Sequence, residues 1–280
     1  MAIQEEFGDF PSGLAALQPD RRNPNLDPHA VGWLTALKDN IHRSGDVAYG
    51  KGSWGFTVLR TVYTEESDAL FPVAIKALEQ WITNYYVHLH RFPWFGTQGE
   101  RCQKTDGSAN EEISRRFRIE VLEDKDTMNF PTLAGASHET IQALVDRFNQ
   151  WVVDVGEDPM AEYPSNPRLA GCLAVDLVSL DSLVKLSQEP IPPLRAAVDL
   201  EEKQQWRDRA FAYLWAIDAR AVGRFVAGVT EHWERGWAKL HAEDIPDAWF
   251  FKASHWDWQS SWLISDHTVD ECGDFWFMMT

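Results

Sequence analysis

The densest group of reactive side chains is the run His255-Trp-Asp-Trp-Gln-Ser-Ser-Trp262, which mixes an imidazole, a carboxylate, hydroxyls and three indoles. His255 and Asp257 suit general acid–base work. Trp256 and Trp258 are flat faces that stack on a substrate or a guanidinium. The same run reads equally as an edge strand that tucks its tryptophans under a sheet. It lies in an acidic stretch, residues 241–280, that holds eight acids and one lysine. Such a stretch is a solvated face or a wall that attracts a cationic substrate.

Arg60 is the second candidate. The segment Trp54–Tyr63 alternates, and Arg60 shares its parity with Trp54, Phe56, Val58 and Val62, the side expected to be buried. A guanidinium there needs a partner, either a structural ion pair or a ligand. The site expectation is that Arg60 and Tyr63 border a cleft with His255 and Asp257, with Trp54, Trp256 and Trp258 on the substrate. His88 and His90, two apart, share one face of a strand, but no Cys or carboxylate motif completes a metal set. Asp176, with Ser179 three residues on, reads as a helix N-cap. Arg101, Lys104, Arg115, Arg116 and Arg118 form the one dense basic group, diluted by Asp106, Glu111 and Glu112.

Other chemistry is absent from the text of the chain. It has no GxxxxGK[ST] phosphate loop, no GxSxG and no HExxH. Nucleotide hydrolysis and α/β-hydrolase chemistry are thereby disfavoured. The net charge of −17 repels polyanions at large and suits neutral or cationic partners. Cys102, Cys172 and Cys272 form neither a disulfide framework nor a CxxC pair, so reduced thiols are expected. The expectation is a cytoplasmic protein with no membrane partner, no metal and no cofactor, since neither a signal peptide nor an apolar span is visible.

These side chains need a scaffold, and apolar periodicity supplies one. Trp54–Tyr63 reads as a strand, followed by a helical stripe over 71–86 in which Pro72 must lie near the first turn. Phe117–Val121 and a helix over 138–153 capped by Ser137 repeat the unit. Leu169–Val175 leads to Asp176 and a short helix, and strand-like runs follow at Phe211–Ile217, Gly236–His241 and Ala248–Phe251. Residues 1–50, rich in Pro, Asp and Asn, read as an arm with one short helix near His29–Lys38. The fold expectation is a single α+β domain over 51–280, a ferredoxin-like or related sandwich with helices on one face of a mixed or antiparallel sheet.

The stretch Trp54-Gly-Phe-Thr-Val-Leu-Arg-Thr-Val-Tyr63, followed by Glu66-Ser-Asp68 and Leu70-Phe-Pro72, resembles the first strand–helix unit of a large fungal protein family. The likeness extends through Arg116–Glu123, Asp176–Leu183 and Gly236-Trp-Ala-Lys239, within residues 50–250. That family overlaps the arginine-containing cyclodipeptide synthases, which join arginine to a second amino acid, both drawn from aminoacyl-tRNAs. The resemblance implies an acidic seat for the guanidinium, an aromatic seat for the second residue and a basic surface for tRNA. Arg115, Arg116 and Arg118 are the expected tRNA contacts. The matched positions are packing positions, and no catalytic residue transfers with them. A tRNA-independent cyclase or isomerase and a non-catalytic binding or interaction protein remain alternatives.

Overall fold

The computed structural model describes residues 7, 9–15, 26–43, 49–91, 106–161, 164–191, 211–229, 235–254, 268–269 and 275–277. Its centre is a seven-stranded mixed sheet in the order β2-β1-β3-β4-β5-β7-β6. The strands are β1 (Thr57–Arg60), β2 (Glu120–Glu123), β3 (Gly171–Val175), β4 (Tyr213–Asp218), β5 (Trp237–His241), β6 (Thr268–Val269) and β7 (Phe275–Phe277). β1 runs parallel to both β2 and β3, whereas β4 runs antiparallel to β3 and β5. The helices are α1 (Ser12–Ala15), α2 (Pro28–Arg43), α3 (Glu65–Asn84), α4 (Ser108–Arg115), α5 (His138–Asp154), α6 (Leu177–Gln188), α7 (Ala219–Val226) and α8 (Ile245–Ser254).

The mixed sheet in an α+β fold matches the expectation, but the helices cover both faces. Val58, Leu173, Val175 and Leu214 pack under α2, α3, α4, α6 and α8. Leu59, Cys172, Ala174 and Trp215 pack under α5 and α7. The reason is topological. The chain leaves β1 in one direction to reach β2, then returns across β1 to reach β3. Two crossovers of one hand that travel in opposite directions place their helices on opposite faces. A ferredoxin-like layer of helices on one side is thereby ruled out. α3 and α5, expected on the same face, are separated by the sheet.

Local signals explain most boundaries. Thr64 and Ser67 form a reciprocal capping box, so α3 starts at Glu65 and Pro72 lies inside the helix on its exposed side. The Ser137 hydroxyl caps α5 by accepting from Thr140 N. Ala248–Phe251 belongs to helix α8 rather than to a strand, with Ala248, Trp249 and Phe250 all buried. α2 places Trp33, Leu34 and Leu37 in the same core as β1. That part of the first fifty residues is thus an integral element and not an arm laid over the domain.

One interior cation aligns the parallel strands. Arg168 is fully buried and donates to the carbonyls of Gly55, Trp54 and Arg118 at 3.4, 3.5 and 2.9 Å. Gly55 (φ 122°) is required where the two segments meet, since a Cβ there would lie 2.2 Å from the Arg118 oxygen.

Candidate functional site

Arg60 closes β1 with its side chain on the α3 face. Its Nε donates to the Val62 carbonyl and its Nη1 to the Glu123 carboxylate, both at 2.9 Å. Nη2 donates to the Ser67 hydroxyl at 3.3 Å and to the Asp68 carboxylate. The rings of Tyr63 and Phe71 lie 4.8 and 5.0 Å from the guanidinium carbon. Burial works against this charge, but hydrogen bonds and attraction from Glu123 and Asp68 outweigh it and raise the pKa above the ordinary arginine value. Tyr63 donates its hydroxyl to the Arg60 carbonyl (2.8 Å) and accepts from Asp124 N (2.7 Å).

The location matters. The helices after β1 and β2 leave to opposite faces, and in open α/β sheets the crevice at such a switch point is where ligands sit. In this strand order that point lies between β1 and β3, where the Thr61 hydroxyl is within hydrogen-bond distance of the Phe130 and Val175 carbonyls; the Arg60 ion network lies beside it, across the ends of β1 and β2. Arg60 and Tyr63 therefore act as structural partners, the ion-pair alternative of the two that parity allowed. His255, Trp256, Asp257 and Trp258, their expected companions, lie outside the described residues. Trp54 is wholly buried against Phe117, Trp249 and Phe250, and its Nε1 donates to the Ile113 carbonyl at 2.7 Å. It is a core residue.

The basic group divides in a similar way. Arg116 is 1 % exposed, donates to Glu112 at 2.6 Å and to the Gly52 carbonyl at 3.1 Å, and lies under the ring of Phe10 at 4.0 Å. It cannot reach a phosphate without unfolding this corner. Arg115 is exposed and Arg118 half-buried, with the Phe7 ring 5.6 and 4.7 Å from them. Burial alone would raise the Glu112 pKa, but Arg115 and Arg116 reverse that and hold its carboxyl below the usual range. His88 lies 3.3 Å from the Ser114 hydroxyl in a 3-10 turn, Tyr86–Arg91, so the strand-face pairing with His90 does not form. The aromatic wealth also has an internal use: Tyr213, Trp215 and Trp276 surround the chain's own Lys239 at 5.2–5.6 Å.

Asp176 caps α6 as its spacing indicates, and does more. Its carboxylate accepts from Ser179 N and Oγ (2.9 and 2.8 Å), Leu133 N (2.9 Å) and Trp215 Nε1 (3.1 Å). These donors tie three separate segments to the end of β3.

An open cleft of about 530 Å³ lies elsewhere, between α5 and α7. α7 begins at Asp218, whose carboxylate accepts from Arg220 N, Ala221 N and Lys252 Nζ at 3.1, 3.0 and 3.1 Å. With its first turn so capped, α7 projects Arg220 and Arg224, one turn apart, along the cleft. Gln142 and Asn149 of α5 face them, and Val145, Pro159, Met160, Ala227 and Val229 complete most of the wall. Arg220 also donates to the Ala161 carbonyl. Burial lowers its pKa, opposed by Asp218 and Asp158 and reinforced by the neighbouring Arg224. The buried Nε of Arg224 has no hydrogen-bond partner among the described residues. Lys252 feels burial first and the same two arginines as well, and its pKa is lowered despite Asp218.

This pair escaped the sequence reading, although a signal exists: an Asp cap followed by arginines four apart, Asp218-Ala-Arg220-Ala-Val-Gly-Arg224. Among the described residues no group of three His, Cys, Asp or Glu side chains is arranged to hold a metal ion, and no helix is long and apolar enough to cross a membrane. Comparison of the chain with protein-family models, with curated proteins and with solved structures finds no match.

Proposed function

We propose that this chain binds a small anionic metabolite in the cleft between α5 and α7, with Arg220 and Arg224 on the anionic group. The observation that carries this reading is the convergence of two guanidiniums and two amides on one open cavity in a chain of net charge −17. Like charges one helical turn apart repel by about 0.2–0.5 kcal/mol. An anion between them turns that repulsion into attraction, and guanidinium forks match carboxylate and phosphate geometry. The overall acidity does not forbid it, because fields from distant surface charges fade beyond roughly 8 Å at physiological salt. The described lining holds no carboxylate, imidazole, thiol or hydroxyl. Binding is thus better supported than acid–base or nucleophilic catalysis.

The test is calorimetric titration of the full chain with inorganic phosphate, pyrophosphate and citrate. Saturable binding that Arg224→Gln weakens by about tenfold or more is expected, the loss of one charge-assisted contact. No binding of any of the three would end the reading. The aminoacyl-tRNA-dependent synthase implied by the resemblance predicts something else: a gel shift with charged tRNA that Arg115→Ala and Arg118→Ala abolish and Arg224→Gln spares. That result would move the function there.

A further inference from the structure

α7 carries a glycine that nothing in its own fold requires. Gly223 is the fifth of the eight residues from Ala219 to Val226; it is exposed and lines the cleft. Glycine in a helix interior is less favourable than alanine, because it loses more backbone freedom on folding. The two ordinary reasons for keeping one are missing here. The backbone at Gly223 is not left-handed, and a Cβ built on it would meet no atom within 4 Å. What the absent side chain leaves is space, over bare α7 backbone and next to Arg224. Arg220 has partners of its own in the Ala161 carbonyl and the nearby Asp218 and Asp158. Arg224, whose buried Nε has no partner among the described residues, is the cation that remains for a ligand. The α5 wall has a different chemistry. Gln142 Nε2 donates to Asp146 at 2.7 Å, and among the described residues neither the Gln142 oxygen nor the Asn149 amide has a hydrogen-bond partner. A carboxamide oxygen only accepts. A carboxylate or a phosphate dianion, itself an acceptor, cannot serve it, whereas a hydroxyl can.

We infer that Gly223 is the specificity-determining floor of this cleft, and that the ligand is a hydroxylated organic anion, a polyol phosphate or a hydroxy acid. Its carbon body lies on the bare backbone of α7, its charge on Arg224 and its hydroxyls on Gln142 and Asn149. This rests on the anion-binding reading above and adds the ligand class and the residue that sets its size. A cavity of about 530 Å³ is of the size that encloses a small organic ligand and is larger than a bare phosphate needs.

The experiment titrates the full chain with inorganic phosphate, propyl phosphate and glycerol 3-phosphate, beside propionate and glycerate. Glycerol 3-phosphate should bind about two- to tenfold more tightly than propyl phosphate, the effect of one added neutral hydrogen bond. Glycerate should exceed propionate likewise, and the tighter pair identifies the head group. Asn149→Leu should bring each hydroxylated ligand down towards its plain counterpart. Gly223→Leu should raise the urea midpoint, because leucine is the better helix former, yet weaken glycerol 3-phosphate by about tenfold or more through overfilling of the cleft. Gly223→Ala, a single methyl that the open surroundings accept, should show both effects at smaller size. Gly32→Leu, at an exposed helical glycine of α2 outside this cleft with equally open surroundings, should raise the midpoint and leave binding unchanged. Wild-type affinity in folded Gly223→Leu would overturn the role of Gly223. Equal affinity for glycerol 3-phosphate and propyl phosphate, and for glycerate and propionate, would overturn the hydroxylated class. Either result leaves the anion reading standing. If the unaltered chain binds none of the five anions, the anion reading itself fails and this inference with it.

Discussion

A buried guanidinium can be a ligand's contact or a strut, and Arg60 shows how the two are told apart. Its donors are taken by Val62, Glu123, Ser67 and Asp68, while Glu123 and Asp68 themselves remain half exposed. Arg60→Met keeps an unbranched aliphatic chain in the buried position and frees two carboxylates that water can receive. Its cost should be about 1–2 kcal/mol in urea unfolding, with ligand binding unchanged. Lost binding at full stability would instead make it a ligand contact. Glu112 gives a pH prediction. Its folded pKa lies below the ordinary 4.5 because of Arg115 and Arg116, so its contribution is complete above pH 4.5 and is lost as pH falls through the folded value. Glu112→Gln should lower stability at neutral pH and flatten the acid limb of a pH–stability curve. An unchanged acid limb would mean other carboxylates set it.

Elements were legible in the sequence where a local rule fixed them. Ser137 and Asp176 marked the starts of α5 and α6 because a short oxygen-bearing side chain next to an apolar stripe has little else to do. β3 and β4 stood out as apolar runs. Three matters were not local. β2 begins three residues later than its alternation suggests, since Phe117 pairs with Trp54 only as an isolated bridge. α8 looked like a strand because both its sides are buried, which erases helical periodicity. The two-faced distribution of helices depends on strand order, which periodicity does not encode. The cleft was invisible for a related reason: α5 and α7 are 64 or more residues apart in the chain, and only the shared sheet face brings them together. At this scale Asp176→Asn is the sharpest test. It turns an acceptor of four donors into a mixed group facing buried N–H groups, and should cost about 2–4 kcal/mol by chemical denaturation. Thr64→Ala, removing one exposed cap, should cost only about 1 kcal/mol. Equal costs would show that Asp176 is an ordinary cap.

For the molecule as a whole, an excess of negative charge works against compactness even where local pairs favour it. Raising salt from about 0.05 to about 0.5 M shortens the reach of that repulsion and should raise the melting temperature. A fall would mean that exposed pairs such as Arg43–Asp39 outweigh it. The interior clamp on β1 and β2 has a different global consequence, one of order in time. Arg168 follows Gly55 by 113 residues, and the contacts that fix the two parallel strands pass through it. A chain emerging at roughly 5–20 residues per second holds Gly55 for on the order of ten seconds before the side chain that anchors it exists. Until then β1, apolar toward both faces, lacks its cation, even after α5, the helix over its second face, has been made. The newborn protein is most exposed to mispairing during that interval, and the clamp is the event that ends it.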